Sequence, residues 1–206
     1  MKHTLLLTVF TVLLFSAAIN AQPVVGAVVK AVPKIDIGIK LGADFEQLNG
    51  STWAQAYKPG IIGGVSVGLH KHRVGVQAEF LLNTSRYTMK SVFDSIKTGD
   101  YRATYFDIPV LFEYKLIPMV WLQVGPQFSS LLSVKNLNGF DNGATNLFKS
   151  GTFSGIVGAE VRLPVHIFAG VRYILGLTNI NNESIPGITD AWNQHIIQLY
   201  VGFKII

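Results

Sequence analysis

Nine charged residues fall where a strand's non-lipid face would lie: Asp36, Lys40, Glu79, Asp107, Glu113, Glu160, Arg162, Arg172 and Lys204. Carboxylates mixed with Lys and Arg can neutralise one another, or they can pass protons or ions. Each would cost several kcal/mol if buried without a partner, so in a shared interior they must pair or touch water. The expected arrangement is a salt-bridge network that plugs a lumen. An ion or proton path is the sharper alternative. A turn at Pro164-Val165 would set Arg172 opposite Gly158, leaving Glu160 as its diagonal neighbour. Asp36 and Lys204 lie near the same end of the first and last strands, which must meet if the sheet closes.

Other residue sets are weaker chemistry. His70 and His72 are two apart but lack a third ligand nearby in sequence, so a solvated turn is expected there and no metal. Asp190 and His195 belong near an outer rim. No serine constellation accompanies them, and girdle or loop roles are expected rather than catalysis. Gly60, Gly63, Gly64 and Gly68 are not followed by the Gly-Lys-Ser/Thr of a phosphate loop; they read as lumen packing. With no Cys there is no disulfide framework, thiol nucleophile or thiolate metal site. No catalytic, cofactor or metal residue is expected.

The elements that position these charges are strands. The clearest is the hairpin Tyr101 to Leu132, broken only by Leu116-Ile117-Pro118. In its first arm Thr104, Phe106, Ile108, Val110, Phe112 and Tyr114 face one way. Tyr105, Asp107, Pro109, Leu111, Glu113 and Lys115 face the other. The same alternation marks Lys34–Phe45, Gly60–Leu69, Arg73–Asn83, Thr152–Leu163, His166–Leu177 and Trp192–Ile206. His70-Lys71-His72 reads as a tight turn. The connections run long, short, long, short, long, short, long. The long ones are Glu46–Lys58, Thr84–Asp100, Ser133–Gly151 and Thr178–Ala191. Strands of about 11 residues, at about 3.3 Å per residue and a tilt of about 40°, cover roughly 28 Å, the thickness of a membrane core. The expectation is an all-β fold: an eight-stranded antiparallel up-and-down transmembrane β-barrel with short turns on the periplasmic side. Trp121, Tyr114, Phe203, Trp192 and Tyr105 would form aromatic girdles near strand ends. Leu81, Leu111, Tyr105, Tyr200, Gln77, Gln123 and Gln127 could fill the interior.

Composition bounds the class. Charged residues are 14% of the 206-residue chain, against about 25% in soluble domains. After the start, no apolar run is long enough for a membrane helix. A barrel hides its apolar residues at every second position and so satisfies both facts. Residues 1–21 read as a secretory signal: a basic start, an apolar run from Leu5 to Ala18, and cleavage after Ala21. Residues 22–33 read as a periplasmic lead-in and 34–206 as the barrel. The net charge of +5 is mild and no basic run interleaves with aromatics, so nucleic acid is not an expected partner.

Several stretches resemble the PorT-like outer-membrane β-barrel family of Bacteroidota. They are Ile37-Gly38-Ile39-Lys40-Leu41-Gly42-Ala43-Asp44-Phe45, Tyr57-Lys58-Pro59-Gly60, Phe106-Asp107-Ile108-Pro109-Val110-Leu111-Phe112-Glu113-Tyr114, Val124-Gly125-Pro126-Gln127 and Tyr200-Val201-Gly202-Phe203-Lys204. The resemblance covers roughly Lys34 to Ile206. It implies a barrel in the cell outer membrane, held by outer-membrane lipid and placed by the barrel-insertion machinery, with Phe203 standing in for the aromatic end residue of most members. Asp94-Ser95-Ile96 resembles a short O-glycosylation signal of the same bacteria. The first reading of function is a small closed barrel, not an enzyme, with a structural role or with surface binding through its outside loops. The alternatives are an accessory part of a type IX-like secretion apparatus and a secreted lipocalin-like barrel with its apolar face inward. Any surface or secretion partner is unnamed by the sequence. The protein is expected to need detergent for extraction and to migrate differently on a gel before and after boiling. Recovery as a soluble periplasmic monomer would exclude the membrane reading.

Overall fold

A computed structural model describes residues 33–49, 57–89, 99–137, 149–179 and 193–205. The signal, most of the 22–33 lead-in, Asp94-Ser95-Ile96, Asp190 and Trp192 lie outside these residues. Eight strands follow in chain order: β1 (Lys34–Asn49), β2 (Lys58–Lys71), β3 (Val74–Met89), β4 (Gly99–Ile117), β5 (Val120–Asn136), β6 (Gly151–Arg162), β7 (Ile167–Gly176) and β8 (Asn193–Lys204). Each pairs antiparallel with its sequence neighbour, and β1 pairs with β8, so the sheet closes into a barrel without an edge. Closure satisfies the backbone hydrogen bonds that lipid could not.

The faces fall as the alternation dictates. Outside, Leu41, Ile61, Leu82, Val110, Phe112, Val124, Val157 and Val201 are exposed apolar side chains. Inside, Lys40, Glu79, Gln123, Glu160, Arg172 and Tyr200 are buried. A lipocalin-like barrel would invert this, so that alternative falls. A shift in the β4–β5 register between Thr104 and Tyr105 leaves Leu132 as the extra residue of a bulge.

The strands reach further into the long connections than the alternation of apolar residues foretold. β1 runs to Asn49, β3 to Met89, β4 starts at Gly99 and β5 ends at Asn136. The outward residues of these extensions are polar, with Arg86 and Lys135 exposed. Beyond the lipid there is no reason for an outward side chain to be apolar. A strand read by its apolar residues therefore stops at the membrane, while the backbone ladder continues.

At the other end the turns are tight. The first turn comes later than the His70-Lys71-His72 that the sequence predicts: β2 continues through His70 to Lys71, and His72-Arg73 makes the turn. His72 takes a positive φ of 54°, Met119 of 75° and His166 of 66°, one at each short turn. Pro118 followed by a positive φ at Met119 is the pattern of a type II turn.

Two girdle assignments are corrected. Trp121 and Tyr105 point into the lumen and are 8% and 4% exposed. Tyr114 and Phe203 do face outward. Trp121 begins its strand beside the short turns, where a bulky inward ring can close the barrel mouth. Depth in the bilayer can be tested on the outward face. Val110→Arg, at mid-strand, should cost about 2–4 kcal/mol in a refolding titration, and Leu116→Arg at the turn about 0–1 kcal/mol. Equal costs would place the barrel differently in the membrane.

Candidate functional site

The lumen holds one connected polar network, and each of the eight strands supplies a member. At its centre Arg172 on β7 makes two parallel bonds to Glu79 on β3, Nη1 to Oε2 at 2.8 Å and Nη2 to Oε1 at 2.7 Å. This fork-on-carboxylate geometry adds directional specificity to a charge-assisted pair, which is roughly twice as strong as a neutral hydrogen bond. Lys40 on β1 donates to both Glu79 oxygens at 3.0 Å, and Gln77 donates to Oε1 at 2.7 Å. One carboxylate thus serves two cations. Part of the surplus positive charge rests on Tyr200 of β8: Lys40 Nζ lies 3.6 Å and the Arg172 guanidinium 4.5 Å from its ring centre.

Gln123 on β5 carries the network onward. It accepts from Arg172 Nε at 2.8 Å and donates to Glu113 on β4 at 2.6 Å and Glu160 on β6 at 3.2 Å. The Tyr200 hydroxyl sits 2.9 Å from both Gln123 Oε1 and Glu160 Oε2 and can donate to either. Arg162 then ties the two acids together, Nε to Glu160 at 2.6 Å and Nη2 to both Glu113 oxygens at 2.7 Å. Its guanidinium lies 4.3 Å over the Trp121 ring.

His70 on β2 closes the short-turn end. Its Nδ1 is 2.8 Å from Asp36 Oδ2, and its Nε2 meets the Glu113 carboxylate and also lies 3.0 Å from Arg162 Nη1. That nitrogen can donate to the acid or accept from the guanidinium, so the tautomer chooses between them. Its ring stands edge-on to Trp121, with centroids 5.0 Å apart. His70 is therefore no solvated turn residue; it is 7% exposed and bridges the Asp36 and Glu113 carboxylates. The sequence signal was available, since His70 continues the inward set Gly64, Ser66 and Gly68. Lys204 reaches Asp36 across the closing seam at 2.8 Å, as its place in the chain implied.

Glycines make room for these groups. A Cβ on Gly170 would lie 2.4 Å from the Tyr200 ring and hydroxyl, and one on Gly75 would lie 2.2 Å from the His70 ring. Gly170 and Gly75 are the negative image of Tyr200 and His70, whereas a Cβ on Gly60, Gly64 or Gly125 would first meet a backbone carbonyl of the neighbouring strand.

The diagonal pairing of Arg172 with Glu160 does not form. Register is as expected, with Gly158 opposite Arg172. The side chain is long enough to cross the lumen to Glu79, while Glu160 is taken by Arg162, Gln123 and Tyr200. Neighbouring position on a sheet wall decides little when the opposite wall is within reach.

Nearer the long connections the lumen carries acids that sequence reading left out or left single. Glu46, assigned to a loop, is 1% exposed and accepts from Tyr87 and Gln194. Asp44 is fully buried, and neither carboxylate oxygen has a hydrogen-bond partner among the described residues. Asp107 is 2% exposed in the same half of the barrel. His195 points outward and bonds the Tyr173 hydroxyl at 2.7 Å on the neighbouring strand. No group of three or more His, Cys, Asp or Glu among the described residues has the geometry to hold a metal ion. The arrangement binds its own charges and fills the space.

Comparison with known proteins agrees with the fold. Residues 21–182 match the family model of the outer membrane protein beta-barrel domain. Neisserial surface protein A is a similar solved structure, with 13% identity over 82% of this chain and 97% of that one, and a TM-score of 0.51. OprG of Pseudomonas aeruginosa shares 12% identity over 85% and 98% of the two chains, with a TM-score of 0.48. Ail of Yersinia pestis shares 9% over 84% and 99%, also at 0.48. At such identities the likeness concerns the fold, and it rests on the first of these. No curated protein matches the chain.

Removing one partner of the central pair should expose the network's dependence on it. Glu79→Gln should cost about 3–5 kcal/mol in urea unfolding, because Lys40 and Arg172 are left buried without their acid, and Arg172→Gln should cost less, because Lys40 still pairs with Glu79. In double-mutant cycles the coupling of residues 79 and 172 should exceed that of 160 and 172. The opposite ranking would mean the lumen pairs differently.

Proposed function

The chain belongs to the outer membrane protein beta-barrel domain family, and from that membership we propose that it works as a closed, non-conducting barrel whose outside loops carry its activity. The protein is a small eight-stranded barrel of the outer membrane. The observation that supports closure is the central Glu79 cluster. Glu79, Lys40 and Arg172 are all buried, the one carboxylate bonds both cations, and Tyr200, with Gln123, faces the remaining positive charge and occupies the space beside them. A solute path would have to pull these ions apart in a narrow, low-dielectric space.

With the lumen occupied, the surfaces left for a partner are the ends. Among the described residues the short-turn end offers three tight turns and the ends of β1 and β8. The long connections, residues 50–57, 90–98, 137–150 and 177–192, offer most of the chain outside the sheet. In this reading they face the cell exterior and either bind a surface ligand or simply occupy the surface. No arrangement of nucleophile, base and orienting group is found in the described lumen, which favours a non-enzymatic role. The PorT-like stretches, Phe106 to Tyr114 above all, favour that branch of the family. The Leu5–Ala18 run directs export in the same reading, and the barrel-insertion machinery places the strands in the membrane.

Purified protein in a planar bilayer should show no large steady conductance. Stable ion-selective channels of porin size, unchanged when the four long connections are shortened, would overturn the proposal.

A further inference from the structure

The strand extensions beyond the membrane carry an ordered outward surface on β3, β4 and β5. Register places Arg86 opposite Arg102, and Arg102 opposite Lys135. Three cations thus form one cross-strand row on the outer wall. Directly opposite pairs in an antiparallel sheet hold their Cβ atoms about 4.5–5.5 Å apart, and like charges there repel. Nothing among the described residues relieves this row: none of the three has an ion pair there. The nearest carboxylate by register is Asp100, one row further out, and Thr88 donates to it at 2.5 Å.

The row one step toward the membrane is Thr84, Thr104 and Ser133, again in direct register. These are hydroxyl side chains, each a donor and an acceptor, and that of Thr84 already exchanges 3.3 Å contacts with the Ile61 backbone, which leaves it one acceptor site. Below them Leu82 and Phe106 pair on the apolar outer wall, and Leu82 is 55% exposed. From the lipid outward the wall therefore reads apolar, hydroxyl, cationic. Such layering fits one chemical class, a lipid whose head carries phosphate. Its chains lie on the apolar wall, its head meets the hydroxyls, and its phosphate offsets the guanidinium row, where Arg can bind in bidentate fashion.

Other basic surfaces lack one of these parts. The concavity at the lumen mouth has Lys34, Arg162 and Lys204, but Asp36, Glu113 and Glu160 already neutralise them. The groove between the turns brings Arg73 and Lys115 beside Leu116 and Ile117. It has no hydroxyl row and no third cation. The groove along Ile39, Leu41, Ile167, Val201 and Phe203 is apolar and has nothing to select a head.

We propose that Arg86, Arg102 and Lys135, with Thr84, Thr104 and Ser133 beneath them, bind the phosphorylated head of a lipid in the membrane leaflet on the long-connection side. That leaflet is the outer one if the long connections face outside, as proposed above; the binding site itself does not depend on that orientation.

The test uses the full chain in a non-ionic detergent and native mass spectrometry. The probes are bisphosphorylated lipid A, the same lipid with its phosphates removed, and phosphatidylcholine. The expected result is retention of the bisphosphorylated lipid over the other two. Arg102→Gln, at the centre of the row, should weaken it roughly tenfold or more, the value of one charge-assisted hydrogen bond. Arg73→Gln at the turns should leave binding unchanged, and inorganic phosphate should not displace the lipid. A heat-shift gel confirms that each variant is folded. Equal retention of lipid A with and without phosphates would overturn the proposal. So would an unchanged Arg102→Gln, an equal loss in Arg73→Gln, or displacement by inorganic phosphate. Protease access on whole cells reports sidedness separately.

Discussion

The lumen of this barrel depends on a single ion pair, Arg172 with Glu79. Both are buried, and each is too costly to leave alone in so narrow a space. Once the guanidinium crosses the lumen to reach Glu79, the rest of the interior is constrained. Lys40 must come to the same acid, Tyr200 must present its ring to both cations, and Gln123 must turn its carbonyl to Arg172 and its amide to the acids. Gly170 must stay small to admit Tyr200. The small and large inward residues are therefore one solution to one packing and charge problem, not separate choices.

The outer wall answers to a different solvent. Within the lipid it must be apolar at every outward position, and beyond the lipid it is released from that demand. Arg86, Arg102 and Lys135 mark where the release occurs on β3 to β5. The backbone sheet passes through this boundary without a break. The side chains alone record it.

This division explains what could be read from sequence. Period-two alternation assigns a face, and the buried side chains of Asp36, Lys40, Glu79, Asp107, Glu113, Glu160 and Arg172 lie on the inward one. The order of long and short connections gives the eight strands, and the Pro164-Val165 turn gives one point of register, Gly158 opposite Arg172. Alternation carries no information about reach across the lumen, so the partner of Arg172 was misassigned to Glu160. It also weakens at strand ends, where composition changes before the backbone does. His70 was lost to a turn for that reason, Glu46 to a loop, and Trp121 to a girdle that a bulky residue at a strand end usually joins. The Asp36–Lys204 contact was legible because strand closure, rather than side-chain reach, brings those two together.

The network takes at least one member from every strand, among them Lys40, His70, Glu79, Glu113, Gln123, Glu160, Arg172 and Tyr200, and Arg162 on β6 brings its cations level with Glu79, Glu113 and Glu160. Charge balance in this network is thus a property of the finished cylinder and of no smaller piece. A sheet that has paired seven strands, or has not yet joined β8 to β1, still presents stranded charges toward its concave side. Such an intermediate is poorly matched to oil and would be held at a watery surface until the seam forms. The last strand to dock therefore brings the charges of the lumen into register as well as closing the backbone ladder.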